Sequence, residues 1–306
     1  MHPSSVVSQP SRFSKETRGF FFGFLGVFIF SFSLPMTRLA VHDFDSTIVG
    51  LGRALIAASL AGGLLLYTRQ PIPNRQQIMR LFVVAGGVVV GFPLLSAWAL
   101  KQVPSSHAAI LNGLIPMSTG VISVIWNRDR PAPLFWVAAV IGCGTVIAYT
   151  LLTSGAQLEP ADVAMLVAVV VVGMGYVAGA RMSREIGSWQ TICWALVLSA
   201  PFLLIPVGAS IAQNGLNASP QAWFGFFYVS VFSMFLGFFA WYHGLALGGT
   251  TRVGQVQLIQ SFLTLLWSGL LLGEQITPAM FIAALIVIAM IVIIRRVPIS
   301  HHTTER

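Results

Sequence analysis

Residues 19–41 read GFFFGFLGVFIFSFSLPMTRLAV, with no charge between Gly19 and Thr37. About 20 consecutive apolar residues suffice for a helix to cross the hydrocarbon core of a bilayer. The run is continuous rather than alternating, so it predicts a helix and not a barrel strand. It is also long enough to be retained as a span instead of serving as a cleaved leader. The residues before it, 1–18, are polar and include Pro3, Pro10 and several serines. They are expected to form a disordered cytoplasmic tail.

The same pattern recurs down the chain. Further spans are predicted at 47–67, 78–99, 105–126, 133–152, 161–181, 189–211, 222–244, 253–273 and 277–294. The breaks between them carry Pro71, Pro73, Pro104, Pro131, Pro133, Pro160, Pro220 and Pro278, residues that end or redirect helices. Composition agrees. Of 306 residues 56% are hydrophobic and only 8% charged, against roughly 25% charged in a soluble domain. The net charge of +8 does not make a nucleic-acid binder, because the basic residues stand singly between apolar runs instead of forming a patch. Cys143 and Cys193 lie inside apolar runs and read as packing residues.

Lys and Arg orient the spans, since cytoplasmic loops hold the excess of basic residues. With the N-terminus inside, all of the 17 basic residues except Arg38, Arg53 and Lys101 fall on the cytoplasmic side, while Asp43, Asp45, Glu159, Asp162 and Glu274 fall outside. Both termini are therefore expected in the cytoplasm.

The chain also carries a weak internal echo. Shifted by 145 residues, 105–144 lies over 250–289, and Thr119/Thr264, Ser123/Ser268, Pro133/Pro278, Ala138/Ala283, Ala139/Ala284 and Ile141/Ile286 coincide. Five spans is an odd number, so duplicated halves must sit upside down to one another. The charges fit: the 69–80 connection has three arginines and its partner, 212–221, none. The fold expected is an all-α integral membrane protein of ten transmembrane helices, arranged as two inverted five-helix repeats, 19–152 and 161–294, with a second cytoplasmic tail at 295–306.

The stretch WALKQVPSSHAA (98–109), its second copy YHGLALGGTTRVG (242–254), and LLGEQITP (271–278) before an Ala-rich helix resemble EamA-type transporters of the drug/metabolite transporter superfamily. The resemblance covers most of 19–294. It implies ten helices, two inverted repeats, a central cavity and, often, metabolite export. Two departures stand out. Asp129 lies between two arginines where such proteins usually have Glu after Gly. Gln260-Ser261 stands where a proline is usual, whereas the first copy keeps Pro116.

Polar residues inside the spans are the candidate site. Gln257, Gln260, Ser261, Thr264 and Ser268 recur at helical spacing on the ninth span, and Asn112, Pro116, Thr119 and Ser123 on its partner. Such stripes either line an aqueous site or bond helices together, at about 0.6 kcal/mol per bond; cavity lining is the reading preferred here. Ser31, Pro35 and Arg38 share one face of the first span. Arg53 lies roughly 10 Å below the outer end of the second, at about 1.5 Å per residue, where burial against lipid would cost about 2.5–3.5 kcal/mol or more. It is either a counter-charge for an anionic substrate or a structural tie to carbonyls or to Asp43/Asp45. The structural reading is favoured, because a similarly placed arginine is common in the family. Arg38 either joins the site or snorkels to the headgroups. Trp98 and Trp241 are expected to cover the site. Gly19, Gly23, Gly26, Gly173, Gly175 and Gly179 are expected at close helix contacts.

No acidic residue lies in mid-span, so facilitated or exchange transport is expected, or weak pH coupling through His107 or His243. No Walker A sequence and no metal-ligand spacing occur, so neither enzymatic activity nor a cofactor is expected. The chain is expected to be a multi-pass permease of the cell membrane, a monomer or homodimer, with the lipid bilayer and a small-molecule substrate as its partners. It would move a small polar or amphipathic, amino-acid-like metabolite by alternating access, with export the expected direction. The rival reading is a non-transporting membrane component: a channel, sensor or complex subunit.

Overall fold

The computed structural model describes residues 12–127, 130–131, 133–153, 159–248, 253–296 and 299–300. Residues 1–11 of the expected tail, together with Arg128 and Asp129, lie outside this set. Almost every described residue is helical. Among the described residues, seven helices are long and apolar enough to cross a membrane: α1 (Thr17–Ala40), α2 (Ile48–Tyr67), α3 (Arg75–Ala99), α4 (Ser105–Trp126), α6 (Pro160–Ile186), α7 (Ser188–Asn214) and α8 (Pro220–Leu247). Three more helices, whose apolar stretches are shorter, complete the bundle: α5 (Pro133–Thr153), α9 (Leu258–Leu272) and α10 (Pro278–Arg296). Residues 12–18 and 295–296, read from the sequence as tail, continue helices at either end. A two-residue antiparallel bridge pairs Arg130–Pro131 with Ile299–Ser300.

The punctuation works as its chemistry requires. Pro160 sits in the first turn of α6, where its missing N–H costs nothing, and the Asp162 carboxylate accepts from the Glu159 N–H at 3.1 Å. Asn74 and Gln77 form a reciprocal capping box at the start of α3, both bonds 2.9 Å. Gly273 ends α9 in the left-handed region, φ +66°.

Three spans contain π-helical stretches: Ile48–Gly52 in α2, Ala85–Gly91 in α3 and Tyr228–Leu236 in α8. Such wide turns concentrate at functional sites. Small residues set the tightest helix crossings. A side chain on Gly87 of α3 would bring its Cβ within 2.6 Å of the Gly175 Cα on α6. Gly26 of α1 lies against the Trp241 backbone of α8, and Gly179 of α6 against the Tyr242 hydroxyl.

Candidate functional site: a buried polar seam beneath a closed face

The site begins at a break in α1. Pro35 has no N–H to give to the residue four positions earlier, so the Ser31 carbonyl is left without its helical partner. The helix interrupts at Phe32, and α9 takes up the freed group: Thr264 Oγ1 donates to the Ser31 carbonyl at 2.9 Å. The Trp267 Nε1–H donates to Ser31 Oγ at 2.9 Å, and that hydroxyl donates to the Phe28 carbonyl at 2.7 Å. On the other side of the break, Ser33 Oγ and Ser233 Oγ, in the π stretch of α8, are 2.7 Å apart. Phe32 stacks on Trp267, 4.3 Å between ring centroids. The break is thus where α1, α8 and α9 meet.

Pro116 acts in the same way on α4, which is interrupted at Gly113–Leu114, just after Asn112. Gly113 faces Ser261 of α9: a Cβ there would lie 3.1 Å from the Ser261 hydroxyl. The 3-10 turn Gly254–Gln257 leads into α9, and Gln257 lies beside the Tyr176 side chain on α6 without a hydrogen bond to it. Tyr176 in turn packs on Trp241, 5.7 Å between centroids. Asn112, Trp241, Gln257 and Gln260 are all buried, Trp241 to 1% exposure. Yet Asn112 Oδ1, Trp241 Nε1, Gln257 Nε2 and Gln260 Oε1 have no hydrogen-bond partner among the described residues. Buried polar atoms are almost always paired, and leaving one unpaired costs about 1–3 kcal/mol. Four such atoms along one seam therefore call for an explanation. A small cavity beside Ser261, bounded by Ile110, Gly113, Ala284, Val287 and Ile288, holds about 10 Å³, room for one water at most.

Above the seam, carboxylates link the two halves of the chain across one face of the bundle. Glu274 accepts from the Ser105 N–H at 2.9 Å, the Ser105 hydroxyl at 2.9 Å and the Ser106 N–H at 2.7 Å. His107 Nε2 and Asp162 Oδ1 are 2.8 Å apart, with Asp162 only 1% exposed. The Asp45 carboxylate accepts from Ser210 Oγ at 2.7 Å and pairs with Lys101 at 3.4 Å. Asp43 accepts from the Ser219 N–H at 2.8 Å and from its hydroxyl at 2.5 Å. Each of these four carboxylates reaches from one half of the chain into the other. They also place the connections around residues 43, 101, 105, 162, 215 and 274 on a single face.

The sequence-predicted residues divide accordingly. Asn112, Gln257, Gln260 and Trp241 line the seam, and Ser31 joins it through Thr264, one turn beyond Gln260. Trp98 does not: it is 40% exposed and points out of the bundle, as an interfacial tryptophan does. Arg38 donates Nη1 to the Leu100 carbonyl, binding α1 to the end of α3 instead of reaching the seam. Arg53 is 3% exposed on α2, which packs on α7 and on the π stretch of α8. Its Nε has no hydrogen-bond partner among the described residues. Asp43 and Asp45, named as structural partners for it, bond Ser219, Ser210 and Lys101 instead. The His107–Asp162 and Glu274–Ser105 pairs escaped sequence reasoning. Their members lie 55 and 169 positions apart, and only the polar SSH run at 105–107 marked the place.

Seven membrane-length apolar helices around a buried polar seam define a multi-pass membrane protein. The chain belongs to the EamA-like transporter family, whose profile matches residues 17–151 and again 159–296. It is 45% identical over 284 residues to an uncharacterized transporter, YdeK, of Bacillus subtilis (strain 168), covering 92% of this chain and 99% of that one. A protein of known crystal structure shares the fold, with TM-score 0.64 at 15% identity over 91% of this chain and 98% of its own.

Proposed function

We propose that this protein carries a small polar or amphipathic metabolite across the cell membrane by alternating access. Its ten helices would all cross the bilayer as two inverted five-helix repeats, with both termini in the cytoplasm. The observation that carries the reading is the seam of buried, unpartnered polar atoms contributed by both halves. Hydrogen-bonding capacity that the protein leaves unused in its interior is what a polar substrate would take up once the seam opens. The four-carboxylate closure on one face supports a state shut on that side.

Duplication has independent support. The family profile matches each half separately. The π stretch Ala85–Gly91, moved by the 145 residues of the repeat, falls within Tyr228–Leu236. The break at Gly113–Leu114 moves to 258–259, beside the change from 3-10 to α-helix after Gln257.

Arg53 favours a substrate bearing a carboxylate or phosphate, because a guanidinium buried without a counter-charge is costly until an anion joins it. An amino-acid-like metabolite fits a site of amides plus one such cation, and export is the direction the reading favours. Untargeted metabolite profiling of cells lacking and overexpressing the protein, inside and in the medium, tests this. A small polar solute should shift in opposite senses in the two strains, and that solute should show saturable flux in proteoliposomes. Arg53→Gln should lower the preference for anionic over neutral analogues. A purified, folded protein with no saturable flux of any solute that shifts would favour a non-transporting component.

A further inference from the structure

A second candidate site lies at the opposite end of the bundle from the carboxylate closure. There a cavity of about 690 Å³ opens between α3, α4 and α6, lined by Arg80, Val83, Trp126, Ala178, Arg181, Arg184 and Glu185. Its volume lies within the range of small-molecule sites. Three guanidinium groups and one carboxylate line it. Two of the arginines are held in position. Arg80 Nη1 donates to Glu185 Oε1 at 2.6 Å, and the Arg181 guanidinium lies over the Trp126 ring, 5.7 Å from its centroid. Arg184, one turn on from Arg181, makes no ion pair among the described residues.

Arg181 and Arg184 stand in the last turns of α6, where the helix dipole favours a cation, which accounts for their sign but not for that of Arg80, near the N-terminal end of α3. It does not account for their convergence from two helices on one cavity, nor for the indole that holds Arg181. Val83, Trp126 and Ala178 give the same cavity an apolar wall. A bare inorganic anion would leave that wall unused, and an uncharged apolar molecule would leave the Arg184 guanidinium without an ion-pair partner.

We infer that this cavity binds an amphipathic anion, a phosphate or carboxylate carried on an apolar body. The anionic group meets Arg181 and Arg184, and the apolar body lies along Trp126 and Val83. Two sources share this chemistry, an anionic phospholipid entering from the bilayer and a soluble amphipathic carboxylate entering from the aqueous side. The site is separate from the polar seam, and the inference does not depend on transport.

The test uses the purified full-length protein and measures binding. In one arm, native mass spectrometry compares retention of phosphatidylglycerol with phosphatidylcholine of the same acyl chains. In the other, equilibrium dialysis measures bound benzoate at low and high salt. Arg184→Gln, Arg181→Gln/Arg184→Gln and, as a control of equal charge change outside the cavity, Arg75→Gln are compared with the wild type. All three arginines are exposed, and size-exclusion profiles check the fold. Each cavity arginine removed should weaken the favoured ligand about fivefold, while Arg75→Gln leaves it unchanged. Loss confined to phosphatidylglycerol identifies a lipid site, and loss confined to benzoate a soluble-anion site. If neither ligand distinguishes Arg184→Gln or the double variant from the wild type, or if Arg75→Gln weakens binding as much, the inference is overturned.

Discussion

The Trp267 indole N–H donates to the Ser31 hydroxyl at 2.9 Å, across 236 positions of sequence, one turn from the Thr264 hydroxyl that holds the Ser31 carbonyl. A break in one helix is thereby supported by side chains of another. A double-mutant cycle with Ser31→Ala and Trp267→Phe should give a coupling of about 0.6 kcal/mol, and no more than about 1.7 kcal/mol. Phenylalanine keeps a ring to stack on Phe32, so the cycle isolates the hydrogen bond. Additive effects on the unfolding free energy in mild detergent would mean that the contact does not support the break.

The carboxylate closure makes a pH prediction. Hydrogen bonds from the Ser219 hydroxyl, the neighbouring His42 and the Ser219 N–H hold the Asp43 carboxyl down at about 2, against an ordinary 3.8. Burial alone would raise Asp45, but the Ser210 hydroxyl and Thr47 outweigh it and bring that group to about 2 as well. A carboxylate depressed in the folded state contributes stability that is present above its unfolded value and is lost as pH falls through the folded value. Thermal stability should therefore fall between about pH 4 and pH 2. In Ser219→Ala/Ser210→Ala this component should shrink: the fall still sets in near the unfolded value but ends at higher pH. An unchanged acid profile in that variant would remove these bonds from the account.

Glu274 receives three hydrogen bonds at the start of α4. A glutamine there keeps one acceptor oxygen and introduces an NH₂ that cannot accept, so Glu274→Gln should loosen the closure. With Cys143 and Cys193 replaced by serine, a cysteine at Asn112 should react with a membrane-impermeant maleimide several-fold faster in Glu274→Gln than in its parent. Equal rates would show that this face does not control access to the seam.

Glycine contacts supply a stability prediction with an internal control. Gly87→Leu forces a side chain into α6 at Gly175, whereas a side chain at the adjacent Gly86 meets nothing within 4 Å. Overpacking costs about 1–3 kcal/mol. Gly87→Leu should lower the yield of monodisperse protein, and Gly86→Leu should not. Equal yields would contradict the α3–α6 packing described here.

What could be read in advance follows from the range of each force. Hydropathy acts locally, so the apolar helices were legible, seven of them of membrane-crossing length among the described residues, as was the inward stripe Gln257, Gln260, Ser261, Thr264 and Ser268, all buried. Proline chemistry is also local, and Pro35 and Pro116 marked the helix breaks. Which carbonyl or carboxylate answers a given group depends on helices brought together by the fold. Arg38 on the Leu100 carbonyl, Glu274 on Ser105 and His107 with Asp162 were therefore invisible. Trp98 was misplaced because an aromatic near a helix end is equally at home over a cavity or at the lipid headgroups, and periodicity does not separate the two. The π stretches leave no mark in the apolar pattern, since they continue the apolar runs on either side of them.

The central claim is that the polar seam receives substrate. The most direct test replaces Gln257 and Gln260 by leucine, singly and together, and measures flux of the solute found by metabolite profiling beside expression and monodispersity. Leucine keeps the volume and removes the unused hydrogen-bonding capacity, so folding should hold while transport falls, most in the double variant. Well-expressed variants that transport at the wild-type rate would mean that these amides only bond helix to helix, and the substrate site would have to lie elsewhere.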